Sequence, residues 1–201
     1  MNNISLFAEK KYLDLKNVIP VDICKIITKY ALLKEENEFT PELGNTAQVE
    51  NAHSVYSDTL METMLHFLLP HVEKNTGLSL CSTYTYYRVY RPGMMLDRHR
   101  DRPSCEISTT VCFGFNYINT DPEYRWGMYV EPEILISQDP GDLIIYRGCE
   151  VDHWRDSFVA GSGSYQVQGF LHYIDKNGPF YPEYAYDKRP NLGYRIDKMH
   201  K

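Results

Sequence analysis

A mainly β fold with packing helices, a sandwich or jelly roll carrying its helices on one face, is what this 201-residue chain predicts. Three observations lead there. Hydrophobic periodicity changes from about 3.6 to about two near residue 79. Seven short β-rich segments follow, each punctuated by Gly, Pro, Asp or Asn. Seventeen tyrosines, many of them in YTYYRVY and FYPEYAYDKRPNLGY, suit strands and a polar-aromatic cavity better than a helical bundle.

The elements follow in chain order. IPVDICKIITKYALLKEEN has Pro20 where a first helical turn tolerates it, then Ile23, Ile26, Ile27, Tyr30 and Leu33 on one stripe, predicting a helix. Residues 36 to 56 are polar and turn-rich and read as a long loop that could lie over a site. SDTLMETMLHFLLPHVEKNTG predicts a second helix, capped by Ser57 or Asp58 and stopped by Gly77. Its apolar face is Leu60, Met61, Met64, Leu65 and Leu68, with a kink expected at Pro70. The strands are STYTYYRVY, EISTTVCFGFNY, WGMYVEP, EILISQ, GDLIIYRG, VDHWRDSF and SYQVQGFLHYI. Length suits one sizeable core, so residues 1–201 read as one domain: a helical part (1–78), a β core (79–175) and a Pro- and Tyr-rich extension (176–201).

Composition narrows the function classes. A formal charge of -6 and a pI near 5.6 argue against a constitutive nucleic-acid or anionic-membrane surface. The start, MNNISLFAEKKYLDL, lacks a signal-peptide apolar run, and no segment approaches the ~20 residues of a membrane span. Cys24, Cys81, Cys105, Cys112 and Cys149 are odd in number with no C-x-x-C pair, which signals neither a disulfide framework nor a zinc knuckle. A reducing cytoplasm is the expected compartment.

The chemistry-bearing stretch is RPGMMLDRHRDRPSC. His99 and Asp101 lie two apart, so in an extended chain both side chains point the same way. His153 follows in GDLIIYRGCEVDHWRD. Two histidines and one carboxylate on one side of Fe(II) leave three positions open, enough for a bidentate keto acid and dioxygen together. Two readings compete, a solvated charged turn and a buried histidine paired with its neighbouring acid, and Arg98, Arg100 and Arg102 are expected to be solvated even where His99 and Asp101 bind iron.

The order of features tips the balance. Helices, a Tyr-rich strand ending in YRPG, H-x-D, a long strand, PGDLIIY, a second His and a last long strand resemble the 2-oxoglutarate and Fe(II)-dependent dioxygenases, within them the prolyl 4-hydroxylase-like group. The resemblance covers roughly residues 80 to 175. It implies a double-stranded β-helix, with His99, Asp101 and His153 as iron ligands and Tyr90 reaching the keto acid. It also implies 2-oxoglutarate as co-substrate, ascorbate as a supporting reductant, and hydroxylation of an unactivated C–H bond of a peptide residue, amino acid or small metabolite.

The last strand departs from the pattern. The family usually places Arg or Lys about ten residues beyond the second His, whereas VAGSGSYQVQGFLHY holds no basic residue. Strand parity turns Ser164, Gln166, Gln168 and Phe170 inward, so Gln166 and Gln168 are candidates to hydrogen-bond the keto acid. Neutral amides leave its charge uncompensated, and Arg88, two residues before Tyr90 and on the same strand face, is the candidate cation. Arg147 and Arg155 are further candidates. Trp126 reads as a core or rim aromatic, and His172 as an inward structural histidine. Two alternatives stay open: a cupin-like metal isomerase without keto acid, and a jelly-roll binding protein without catalysis.

Overall fold

The computed structural model describes residues 2–38 and 49–194. Three helices, α1 (Asn3–Lys10), α2 (Val21–Glu38) and α3 (Thr59–Thr76), accompany ten strands among these residues. The strands are β1 (Tyr12–Leu15), β2 (His53–Tyr56), β3 (Leu80–Tyr90), β4 (Leu96–His99) and β5 (Ile107–Asn116), then β6 (Met128–Val130), β7 (Ile134–Ile136), β8 (Leu143–Arg147), β9 (His153–Arg155) and β10 (Tyr165–Asp175). Two sheets result, a larger one in the order β1-β8-β5-β10-β3-β2 and a smaller one in the order β4-β9-β6-β7. Every pairing is antiparallel. From β3 onward the chain passes back and forth between the sheets, which is jelly-roll topology.

All seven strands read from the period-two pattern are present. β3 and β10 are buried along nearly their whole length because α3 and α2 cover one face of the larger sheet and the smaller sheet covers the other. One core cluster joins Leu65, Leu68 and Val72 of α3 to Val89, Val111, Val167 and Leu171 beneath it. Burying each such side chain contributes roughly 1.5–3 kcal/mol.

The helices match in part. α3 is capped by Asp58, which accepts from the amides of Leu60 and Met61, and Gly77 closes it at φ 74. Pro70 lies within α3, which runs on to Thr76. In α2 the buried stripe is Cys24, Ile27 and Ala31, while Ile23, Ile26 and Leu33 face outward. Helical spacing admits both stripes, and the smaller Cys and Ala permit the closer approach to the sheet. α1 and β1 are additions to the sequence reading. Of the expected 36–56 loop, residues 39–48 lie outside the described residues, while 53–56 form an edge strand of the larger sheet.

The extension after Asn177 is a strap laid over the β2–β3 end of the larger sheet. A buried ion pair anchors it: Arg189 Nη2 donates to Glu62 Oε1 at 2.6 Å and to the Thr83 carbonyl at 3.0 Å. Breaking a buried pair of this kind typically costs 3–5 kcal/mol, because it strands the remaining charge. Just before the anchor, Tyr186, Asp187 and Lys188 adopt φ of 51°, 56° and 62°. Left-handed backbone at non-glycine residues costs of order 1–3 kcal/mol each, so contacts must hold it there. Among the described residues no helix is long and apolar enough to cross a membrane.

Candidate metal centre

Pairing of β4 with β9 sets His99 directly opposite His153. Directly opposed residues have Cβ atoms about 4.5–5.5 Å apart, and the two imidazole rings accordingly meet at 4.3 Å between centroids. Asp101 lies just past the end of β4, held by its amide donating to the Gly148 carbonyl at 2.9 Å. Its Oδ1 sits 3.7 Å from His99 Nε2 and 3.6 Å from His153 Nε2. One ligand atom from each of the three residues falls within a 4.8 Å cluster.

The donor set fits a metal ion. His99 Nδ1 lies 2.7 Å from the Asp97 carbonyl and His153 Nδ1 lies 3.0 Å from the Val151 carbonyl. A carbonyl only accepts, so each Nδ1 carries the proton and each Nε2 presents a lone pair to the centre. Asp101 Oδ2 accepts from Ser108 Oγ at 2.7 Å, which leaves Oδ1 facing the histidines. Ser108 in turn lies 2.9 Å from His172 Nδ1, and this serine and histidine support the carboxylate from behind. A Cβ on Gly148 would strike Asp101 Oδ2 and the Cys105 carbonyl, so the bare glycine makes room for the aspartate.

Charge at the centre follows from its neighbours. Burial alone would raise the Asp101 carboxyl, but hydrogen bonding toward His99 and the charges of His153 and His172 outweigh it and hold the group at about 2. His99 is raised because the Asp101 carboxylate and the Asp97 carbonyl overcome its desolvation. Burial lowers His153, and lowers His172 to about 4. Metal binding requires an ionised carboxylate and neutral imidazoles, so Asp101 and His153 are shifted toward the binding state and His99 away from it.

The triad opens onto a cavity of about 400 Å³ whose wall also includes Tyr84, Tyr86, Arg88, Phe170 and His172. That volume lies within the range of small-molecule sites. Arg88 points inward as alternation from Tyr90 requires, with its guanidinium 4.9 Å from the Tyr86 ring centroid and Nη1 donating to the Tyr90 hydroxyl at 3.3 Å. Tyr90 itself is fully buried against Trp126 and lies behind the cavity wall, where it supports Arg88.

Gln166 and Gln168 have the inward parity expected of them but lie outside the cavity wall. Gln166 Nε2 donates to Gln168 Oε1 at 2.9 Å, and Gln168 Nε2 donates to Thr110 Oγ1 at 2.6 Å and Gln138 Oε1 at 2.9 Å. The Tyr117 hydroxyl donates to Gln166 Oε1. Their hydrogen-bonding capacity is used within this layer. Arg155 belongs to the same layer, fully buried, donating to the Trp126 carbonyl at 2.9 Å and to Gln138 Oε1 at 3.5 Å. Its Nε has no hydrogen-bond partner among the described residues. Arg147 is bonded to Glu150 away from the cavity. Trp126 is a core aromatic, as expected.

The charged run splits by direction. Arg98 and Arg100 reach Asp152, at 3.0 Å and 2.6 Å, and Arg100 also borders the cavity. Arg102 is half-exposed yet engaged with Asp187 of the strap, so it is more than the solvated arginine the sequence suggested. Arg102 and Ser108 are the functional candidates that sequence reasoning missed.

With fold and geometry in place, the comparisons give the class of architecture: this chain has the jelly-roll fold of the 2-oxoglutarate and Fe(II) oxygenases, prolyl 4-hydroxylases among them. A Pseudomonas putida prolyl-4-hydroxylase superposes with a TM-score of 0.60 at 15% identity, over 84% of this chain and 96% of that one. EctD from S. alaskensis in its apo form gives 0.65 at 14%, over 96% and 85%. The epimerase SnoN, in complex with Fe3+, alpha ketoglutarate and nogalamycin RO, gives 0.65 at 11%, over 96% and 90%. No protein-family model and no curated protein matches the sequence.

Proposed function

We propose that this protein is an Fe(II)- and 2-oxoglutarate-dependent dioxygenase that hydroxylates an unactivated C–H bond of a peptide residue, amino acid or small metabolite. The observation that carries the reading is the meeting of His99 Nε2, Asp101 Oδ1 and His153 Nε2 in the wall of a ligand-sized cavity. A facial set of two histidines and one carboxylate is the ligand pattern of non-haem Fe(II) oxygenases. Bound there, Fe(II) with the keto acid would supply the activation of dioxygen.

The chain's own residues set the conditions for that chemistry. The Asp97 and Val151 carbonyls fix the tautomers of His99 and His153, so that both Nε2 atoms stay available as ligands. Ser108 orients Asp101 and lets only one carboxylate oxygen face inward. Tyr84, Tyr86 and Phe170 line the cavity beside the triad with aromatic surface. Arg88 is the cation we assign to the distal carboxylate of the keto acid, since it lines the same cavity and its charge reaches His99. Arg155 is the second candidate, because it is a buried cation with an unpartnered Nε and no carboxylate paired to it among the described residues.

The test is turnover without a known substrate. Supplied with Fe(II), ascorbate and oxygen, the protein should convert 2-oxoglutarate slowly to succinate and carbon dioxide, and His153→Ala should abolish the conversion. Metal binding with no succinate under any condition would favour a cupin-like metal isomerase. Absence of metal binding would favour a jelly-roll binding protein.

A further inference from the structure

The mouth of the same cavity carries a second set of converging groups. Arg102, one residue beyond Asp101, donates to the Asp187 carboxylate through Nη1 at 2.6 Å and Nη2 at 2.8 Å. Ser104 Oγ donates to the same carboxylate at 2.6 Å, and the Tyr56 hydroxyl donates to its other oxygen. Four donors from three residues thus enclose one carboxylate, with the two-pronged geometry a planar guanidinium offers a planar anion. The set is braced by aromatic contacts: the Arg102 guanidinium lies 4.6 Å from the Tyr84 ring centroid, and Tyr84 stacks on Tyr56 at 5.0 Å. Tyr56, Tyr84 and Arg102 line the cavity together with the metal triad.

The carboxylate arrives by a strained route. It is carried by the middle of three consecutive non-glycine residues in left-handed backbone, Tyr186, Asp187 and Lys188. Such conformations persist only where surrounding contacts over-determine them, and they gather at ligand clamps and switches. The strap has an independent anchor two residues on, where Arg189 pairs with Glu62 and the Gly193 amide donates to the same Glu62. Asp187 can therefore leave its donors by local relaxation, with the strap still docked through Arg189.

We infer that Arg102, Ser104 and Tyr56 form a carboxylate-recognising subsite for an acidic group of the substrate, and that Asp187 is a tethered stand-in which that group displaces. The inference rests on the cavity being the reaction site proposed above. Exchange of one carboxylate for another leaves the Arg102 guanidinium paired, while the released Asp187 carboxylate must turn to solvent to regain its hydration. It also releases the left-handed strain. A neutral substrate group offers Arg102 no equivalent partner and leaves Asp187 in place.

The experiment uses the full-length chain, with and without Fe(II), and a probe carrying a single side-chain carboxylate, N-acetyl-L-aspartate α-methylamide. Its neutral control is the corresponding asparagine compound. Asp187→Asn preserves shape and tolerates left-handed backbone while removing the competing charge, and should bind the probe at least fivefold more tightly than wild type. Adding Arg102→Gln should abolish that gain, and the neutral compound should not distinguish the variants. In wild type, saturating probe should accelerate amide hydrogen exchange at residues 186–188. Equal probe affinity in wild type and Asp187→Asn, or a gain that survives loss of Arg102, would overturn the subsite. If Asp187→Asn does not fold, the wild-type exchange measurement decides alone, and unchanged exchange overturns the inference. Probe binding is read without turnover, so failure to bind iron or form succinate would sink the oxygenase reading and leave this result distinct.

Discussion

The space between the two sheets has two polar layers, and they differ in what their hydrogen bonds are used for. The outer layer, His99, Asp101, His153 and Arg88, turns its polar atoms toward a cavity. The inner layer, Gln138, Gln166, Gln168, Thr110 and Arg155, turns its atoms toward one another. The inner layer is fully buried and the outer one partly so, with His99 and Asp101 half-buried, and most members of both sit on strands. A polar interior becomes a binding site where its capacity is left directed at open space, and becomes structural where that capacity closes on itself. Arg155 Nε is the one atom of the inner layer without a partner among the described residues.

The largest expected effect tests the outer layer as a metal centre. His99→Ala and His153→Ala should each weaken Fe(II) binding more than about 100-fold, a larger loss than the 10- to 100-fold typical of residues one shell further out. Anaerobic titration measures it. Affinity should also fall as pH drops, because the metal must displace protons from the imidazoles. His99 is the raised histidine and His153 the lowered one, so as pH drops His99 should compete with the metal first, with a one-proton slope, and His153 only at lower pH. Wild-type affinity in a variant carrying both His99→Ala and His153→Ala would end the distinction between the layers.

The inner layer should respond in stability and not in binding. Gln168→Ala removes the acceptor of Gln166 Nε2 and the donor to Thr110 Oγ1 and Gln138 Oε1, leaving Gln166 Nε2 and Gln138 Oε1 with long contacts of 3.5 Å to Trp126 and Arg155 and Thr110 Oγ1 without its donor. An unsatisfied buried group costs about 1–3 kcal/mol, so a loss near 2 kcal/mol in denaturant unfolding is expected. The dissociation constant for 2-oxoglutarate should stay within about twofold. A loss of keto-acid affinity with unchanged stability would make the two layers one site.

How far the sequence reveals these layers depends on the range of the information each needs. Period-two alternation is local, and it gave seven strands of the two sheets, though not the short β4 that carries His99, and the inward parity of Gln166, Gln168, Phe170 and His172. Parity states which way a side chain faces and not how deep along the strand the cavity ends, so Phe170 and His172 reach it and the two glutamines do not. Of the α2 stripe Ile23, Ile26, Ile27, Tyr30 and Leu33, only Ile27 is buried, beside Cys24 and Ala31, and docking on the sheet chose that face. α1 and β1, with 8 and 4 residues, are too short for a pattern to stand out. The partner of Arg102 lies 85 positions away in the strap, a pairing that no local signal announces.

The smallest effect is the one that identifies the keto-acid counter-charge. A dicarboxylate in a cavity of low dielectric needs a cation at its distal end, since an unpaired buried carboxylate costs several kcal/mol. β10 supplies none, and its inward amides are committed to the inner layer. Arg88 lines the cavity, stacked over Tyr86 and bonded to the Tyr90 hydroxyl, and its charge is already felt at His99. Arg88→Gln should therefore raise the dissociation constant for 2-oxoglutarate at least tenfold, about 1.4 kcal/mol, with Fe(II) affinity nearly unchanged. Arg88→Lys should recover part of the loss, because it restores the charge without the planar fork. Arg155→Gln is the matched experiment in the inner layer. If it abolishes keto-acid binding while Arg88→Gln does not, the ligand reaches through the cavity wall to the one open donor of the inner layer, and the boundary between the two layers moves inward by one strand residue.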